Sequence, residues 1–260
     1  MNIAQRPDVL AKLQSAANIT TEILKQLYDA THAGISAAFI DQLAGELCLQ
    51  YGVVPSFRGV GEPANIYNYN LCVSVNEVVL HGVPHKHIIF QPGDVVKLDF
   101  GLIVDKIYTD QCVSFILEPA AAQDLQLLEI SKIAVLAGVK QAKTGNKVGD
   151  IGHAIYSLVD MAGYDVLREF VGHGIGGYLH ESPEIPAYGK AHSGYTLIKG
   201  DVLCVEAQVV AGLDDIYIAA DNWSVITRDG KKGAMFEYMV IVDDMPINLT
   251  QTLDWPLVKV

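Results

Sequence analysis

The sequence predicts an α+β fold of two pseudo-symmetric halves, each a pair of helices followed by antiparallel strands, with the sheets joined around a shared centre. Three observations carry this expectation. Two helical stretches followed by a set of strands occur twice along the 260 residues. The strand opening Gly93-Asp94-Val95-Val96-Lys97-Leu98-Asp99 is echoed by Gly200-Asp201-Val202-Leu203-Cys204-Val205-Glu206, so Asp94/Asp99 and Asp201/Glu206 share a spacing. The glycines that end the second helix of each set, Gly52 and Gly163, precede those strands by nearly the same distance. No Pro-, Gly- or Ser-rich linker separates the halves, approximately residues 8–118 and 120–250, so a single domain over 1–260 is expected.

Taken in order, Pro7-Asp8 is a plausible helix start, and Leu10, Leu13, Ala17, Leu24 and Leu27 follow near helical spacing. A second helix follows Ser36, with Ile40, Leu43 and Leu47 on one face, and stops at Gly52. Strand-like runs occupy 71–80, 95–104 and 108–117. After Pro119 a third helix carries Leu125, Leu128, Ile133, Leu136 and Val139 and ends near Gly145. The fourth carries Ile151, Ile155 and Leu158 and stops at Gly163, and strands fill most of the remainder.

Composition narrows the function. Half of the residues are apolar, enough for one large core. No run approaches the roughly 18 apolar residues of a membrane span. The N-terminal segment intersperses Arg6, Asp8, Lys12, Glu22 and Lys25 with no apolar block, so no signal peptide is expected. Cys48, Cys72, Cys112 and Cys204 stand singly, which suits reduced thiols and a cytoplasmic location. A net charge of −12 repels phosphate backbones and argues against nucleic-acid binding as the main activity. Lys140, Lys143 and Lys147 form no stripe and read as a solvated helix end.

Asp99 sits where the apolar middle of a strand belongs. On a lone strand, alternation would put it on a wet face with Lys97. The echo at Glu206 turns that face toward the seam between the halves. Asp110 follows across a hairpin, Glu237 lies inside the apolar run "AMFEYMVIV", and "GHGIGGYLHESPEIP" supplies His173 and His180. Each has a plainer reading alone: Asp110 at a turn, Glu237 on an edge strand, His173 as an ordinary core residue. Together they pose a charge problem, since two carboxylates about 4 Å apart repel by roughly 4 kcal/mol at an effective dielectric near 20. A dinuclear, oxygen-rich metal site resolves it, and suits hydrolysis by an activated water with a carboxylate as proton acceptor. His180, and His81 in "VVLHGVP", are candidates for roles outside the metal shell. Gly172, Gly174 and Gly177 match G-x-G-x-x-G, but Pro183 and Pro186 prevent the helix a dinucleotide site needs.

The set "NEVVLHGVP", "GDVVKLDFG" with Asp110 eleven residues after Asp99, "GHGIGGYLHESP", Glu206 behind "KGDVLCV", and Glu237 in "MFEY" resembles the type I methionine aminopeptidases, whose fold is the pita-bread fold. The resemblance covers nearly the whole chain, and the short distance from His173 to Glu206 leaves no room for the helical insertion of type II enzymes. It implies Asp99, Asp110, His173, Glu206 and Glu237 as ligands of two divalent ions, with cobalt, manganese, iron or zinc all compatible. Glu206 is also implied as general base, His180 as a contact of the scissile carbonyl and His81 as a neighbour of the residue after methionine. Cys72 and Trp223 match positions that line the methionine pocket, and Leu179 stands where an aromatic is usual.

The chain departs from the family pattern at Ala207-Gln208, where a proline is usual, at Tyr238, where histidine is usual, and at Gln111-Cys112. Its segment "FRGVGEPANIYNYNLC" is longer than the family's and rich in Tyr and Asn. The expected activity is metal-dependent removal of the initiator methionine from nascent proteins and peptides with a small second residue. The accompanying expectations are a cytoplasmic monomer with transient ribosome association, no membrane and no specific nucleic acid. The alternatives are a proline-specific aminopeptidase or prolidase-like hydrolase, which usually carries an extra N-terminal domain, and a non-catalytic peptide-binding protein of the same fold.

Overall fold

The structure, a computed structural model, describes residues 7–252 and 254–260; Arg6 of the charged N-terminal segment lies outside them. The elements that position the site are α1 (Pro7–Ala30), α2 (Ala37–Tyr51), β1 (Cys72–Val75), β2 (Val78–Leu80), β3 (Val95–Phe100), β4 (Gln111–Leu117), α3 (Ala122–Val139), α4 (Val148–Met161), β5 (Gly172–Gly174), β6 (Glu181–Ile185), β7 (Val202–Val210) and β8 (Gly233–Ile241). Ser36 caps α2, its Oγ accepting from Phe39 N at 3.2 Å. Gly52 closes α2 in the left-handed region (φ 67).

A ten-stranded sheet runs β6-β5-β7-β8-β4-β3-β1 along its main path, with antiparallel neighbours. The strands from before and after Pro119 meet where β8 joins β4 through one register pair, Glu237 with Cys112. Strand parity decides what faces what. On one side, Leu203, Val205, Ala207, Val209, Phe236, Tyr238 and Val240 pack with Leu128 and Val135 of α3 and Ile151 and Ile155 of α4. Beside them, Val96, Leu98, Phe100, Val113 and Phe115 pack with Leu24 and Leu27 of α1 and Ile40 and Leu47 of α2. The intervening residues therefore turn away from the helices: Lys97, Asp99, Cys112, Ser114, Glu206, Gln208, Met235 and Glu237. That uncovered inner face carries the polar groups.

Several sequence expectations need correction in detail. The run 71–80 breaks at Asn76, which adopts φ 52 to turn β1 into β2. The run 95–104 breaks at Gly101, where a Cβ would collide with Ser56 Oγ and the Thr109 carbonyl. The run 108–117 breaks at Thr109-Asp110, because Thr109 Oγ1 is engaged by Leu102 N at 3.0 Å and by Thr20 Oγ1 at 2.6 Å. α3 ends at Val139, and Gly145 (φ 86) serves the turn into α4. Ile133 is 54% exposed, because the inward stripe of α3 runs through Leu127, Leu128, Ser131, Ala134 and Val135. Leu10 is likewise exposed. Lys97 shares the inward face of Asp99; it is buried, and its Nζ donates to the carbonyls of Asn76 at 2.8 Å and Gly233 at 3.0 Å. All four cysteines are buried and unpaired by disulfides. Among the described residues no helix is long and apolar enough to cross a membrane.

Candidate metal centre

Register builds the site. Asp99 pairs with Cys112, Cys112 with Glu237, and Glu237 with Glu206. Opposed residues of antiparallel strands place their Cβ atoms about 4.5–5.5 Å apart on one face. Four neighbouring strands thus line up three carboxylates and a thiol in one transverse row. Asp110 adds a fourth carboxylate from just before β4. His173 comes from β5, paired with Cys204, two residues before Glu206. Oxygens of Asp99, Asp110 and Glu237 lie within 4.8 Å of one another. His173 Nε2 stands 3.9 Å from Glu206 Oε1 and 3.9 Å from Glu237 Oε1. Its Nδ1 lies 3.0 Å from the Gly174 carbonyl. A donor at Nδ1 leaves the Nε2 lone pair for the carboxylate side, the arrangement of a metal-ligating imidazole.

The cluster is electrostatically incomplete. Burial pushes the carboxyls of Asp99, Asp110, Glu206 and Glu237 up, and the charge of neighbouring carboxylates adds to this for Asp110, Glu206 and Glu237. Asp99 Oδ1, Asp110 Oδ1 and Glu237 Oε1 are buried with no hydrogen-bond partner. An orphaned buried acceptor costs about 1–3 kcal/mol, and three of them converge here. A divalent cation answers both the charge and the open acceptors, and four carboxylates with one imidazole suit manganese, iron, cobalt or zinc. Burial, with His180 nearby, pulls the His173 imidazole down to about 4 and keeps it neutral and able to ligate.

These groups form the floor of a cavity of about 500 Å³. All ten positions singled out from sequence line it: Cys72, His81, Asp99, Asp110, His173, Leu179, His180, Glu206, Trp223 and Glu237. The His180 ring meets His173 edge-on, centroids 4.5 Å apart. His81 follows β2 in the left-handed region (φ 53), its ring edge-on to Phe170 at 5.4 Å. Burial, then His180, lowers His81 to about 4, and burial lowers His180 as well. Phe57, Val60, Tyr67 and Phe170 also line the cavity and were not singled out from sequence. Tyr67 had a signal in the Tyr- and Asn-rich segment. A short hairpin, Gly61–Glu62 with Asn65–Ile66, brings its ring to 5.1 Å from Trp223, and its hydroxyl donates to the Leu71 carbonyl at 2.9 Å.

The departures from the family pattern sort by parity. Ala207 and Tyr238 face the helices, away from the cavity. Gln111 ties β4 to α1, accepting from Thr21 Oγ1 at 2.9 Å and donating to the Ala17 carbonyl at 3.1 Å. Gln208 faces inward, and its Nε2 donates to Glu206 Oε2.

Comparison of folds gives the class first. The structure superposes on the methionine aminopeptidase of Thermotoga maritima with a TM-score of 0.91 at 32% identity, covering 96% of this chain and all of that one. It superposes on that of Rickettsia prowazekii with a TM-score of 0.90 at 28% identity, over 96% of this chain and 100% of that one. The Xaa-Pro dipeptidase of Bacillus anthracis shares the fold at 19% identity and a TM-score of 0.76, over 97% of this chain and 63% of that one. The architecture is the pita-bread fold. The model of metallopeptidase family M24 matches residues 11–244, and the chain belongs to that family. The methionine aminopeptidase of Clostridium acetobutylicum is 35% identical over 252 residues, 96% of this chain and 99% of that protein. Methionine aminopeptidase 1 of Bacillus subtilis is 34% identical over 244 residues, 94% of this chain and 96% of that protein.

Proposed function

We propose that the chain is a two-metal exopeptidase that removes methionine from the N-termini of nascent proteins and peptides whose second residue is small. The observation that carries this reading is the convergence of Asp99, Asp110, His173, Glu206 and Glu237 on the floor of one cavity, with His81 and His180 on its wall. The names of relatives matched over nearly their full length support it. Two divalent ions, when bound there, would supply an activated water and polarise the scissile carbonyl.

Asp99, Asp110, His173 and Glu237 would hold the ions. Glu206 would hold them too, and its carboxylate takes the proton of the attacking water and passes it to the departing amine. His180, neutral at pH 7 because burial lowers its pKa, donates one ring N–H to the carbonyl oxygen as charge develops there. His81 faces the residue after methionine. Cys72, Leu179 and Trp223, joined by Phe57 and Tyr67, give the thioether side chain a soft apolar pocket. A cytoplasmic monomer acting on chains emerging from the ribosome completes the proposal; four singly placed cysteines without a disulfide support the cytoplasmic part of it.

The test is Met-Ala-Ser, assayed with chelator-treated protein and again after adding Mn²⁺ or Co²⁺. Methionine release only with metal is expected, and its absence with every metal overturns the reading. An Ala-Pro substrate run in parallel tests the proline-specific alternative. Asp99→Ala separates a hydrolase, which loses metal and turnover together, from a metal-independent binder.

A further inference from the structure

The strand that carries Glu206 carries a second buried polar group on the same face. Gln208 lies two residues on in β7, so both side chains point to the inner face. It is 1% exposed. Its Nε2 donates to Glu206 Oε2 and stands 3.9 Å from Met235 Sδ, while its Oε1 is buried without a partner. Met235 is its direct cross-strand partner on β8, in the register that also opposes Glu206 to Glu237. With Glu206 ionised, as a metal ligand must be, turning the amide over would press its oxygen against a carboxylate oxygen, so the donor faces Glu206. A buried orphan amide oxygen is tolerated here because the other end of the amide is committed.

We infer that Gln208 is a positioning residue for Glu206: its amide N–H occupies Oε2, fixes the carboxylate rotamer and leaves Oε1 turned toward His173 and the ligand cluster. This rests on the reading of Glu206 as both metal ligand and proton acceptor. A glutamate free to rotate about its own side chain can ligate through either oxygen and aim the other anywhere. With Oε2 engaged from below, Oε1 is the oxygen that stands 3.9 Å from His173 Nε2. Gln208 does not itself line the cavity; besides Glu206 its amide meets only the thioether of Met235, which does line it, so its polar influence passes through Glu206. Met235 offers only a thioether at the opposed position, too weak a partner to substitute.

Three proteins test this: the parent, Gln208→Met, and the double variant Gln208→Met/Met235→Gln, which moves the amide across the strand pair while conserving the side chains at the locus. Each is chelator-treated and titrated with Mn²⁺ by calorimetry, then assayed for kcat and KM on Met-Ala-Ser and for metal-free melting temperature. Gln208→Met should weaken Mn²⁺ binding and lower kcat by about 10- to 100-fold, the usual range for losing a partner of a metal ligand. KM should change less than about threefold by the same logic, because the methionine pocket is untouched. The double variant should recover most of both losses at an unchanged metal-free melting temperature. Parent-like Mn²⁺ affinity and kcat in Gln208→Met overturns the inference. So does a folded double variant with no recovery, which also decides the matter if Gln208→Met fails to fold. If the parent releases no methionine with any metal, the hydrolase reading fails, while the Mn²⁺ titrations still decide whether Gln208 serves the metal site.

Discussion

Asp99 sits in the cross-strand row with Glu206 and Glu237 opposed to each other beyond Cys112, and its Oδ1 has no partner. Without metal, it is a liability to the fold; in the proposed metal centre, it is a ligand. Asp99→Asn keeps the shape, removes one charge and brings an N–H₂ that can donate to neighbouring carboxylates. The metal-free variant should therefore be more stable than the parent, by on the order of 1–2 kcal/mol, one or two pKa units of relieved repulsion. For a chain of this size that corresponds to a rise of about 2–4 °C in Tm per kcal/mol. The same variant should lose metal binding and activity. Calorimetric melting in EDTA and in Mn²⁺ reads both, and a lower metal-free Tm would show that the carboxylates do not repel. His180 makes the opposite comparison. Its ring offers a nitrogen within 4.8 Å of ligand atoms of Asp110 and His173, but it shares no opposed strand pair with the carboxylate row. As an oxyanion donor outside the metal shell, His180→Ala should lower kcat about 10²- to 10³-fold and change Mn²⁺ affinity far less. A matching fall in metal affinity would move His180 into the metal shell.

Strand breaks decide where the candidate ligands stand. β3 must end at Phe100 and β4 must begin at Gln111 for Asp110 to leave the ladder and turn toward Asp99 and Glu237. Gly101 permits this, because the chain there presses against Ser56 and Thr109 with no room for a Cβ. Gly101→Ala should force the Thr109 carbonyl aside, cost about 1–3 kcal/mol through overpacking and weaken metal binding through Asp110. Denaturant unfolding and Mn²⁺ titration check the two effects, and a neutral Gly101→Ala would show that the break is set elsewhere. The inner-face carboxylates were legible in the sequence because they violate a local rule: Asp99, Glu206 and Glu237 each occupy an apolar strand's middle, and parity fixes their face. The repeated Gly-Asp-Val opening supplied the pairing of Asp99 with Glu206. The breaks were not legible, since they depend on Ser56 and Thr20 reaching Gly101 and Thr109 from distant parts of the chain. The partners of Lys97 were not legible for the same reason. Its buried ammonium is tolerable only through the Asn76 and Gly233 carbonyls, which tertiary structure supplies. Tyr67 belongs to the pocket wall only because a hairpin folds its segment back onto Trp223.

At the scale of the whole molecule, the sheet seam couples folding, protons and metal. The four clustered carboxyls have raised pKa values in the folded chain, through burial and, for three of them, mutual repulsion; Glu206 is pushed up to about 8. Above about pH 4.5 the unfolded chain has released these protons, so folding takes protons up. The stability tied to these groups is full at low pH and drains away as pH rises through the raised values. His81, His173 and His180 are shifted down and act in the opposite sense, but only below their ordinary value of 6.5, where the unfolded chain's histidines titrate. Lys97, pushed down to about 7 by burial, opposes the carboxyls above that pH, as one group against several. Between about pH 6.5 and 8 the carboxyls therefore prevail. Metal-free protein should lose stability across that window, at about 1.4 kcal/mol per pH unit for each net proton held by the folded state. Metal requires the deprotonated carboxylates, so binding should release protons and tighten as pH rises. Melting in EDTA at pH 6.5 and 8 should show a falling Tm, and excess Mn²⁺ should reverse or flatten the trend by binding the folded state. Calorimetric titration of Mn²⁺ in two buffers of different ionisation enthalpy counts the released protons directly. A metal-free Tm that rises from pH 6.5 to 8, with no proton release on binding, would mean that the seam carboxylates are already ionised and that metal is not what balances them.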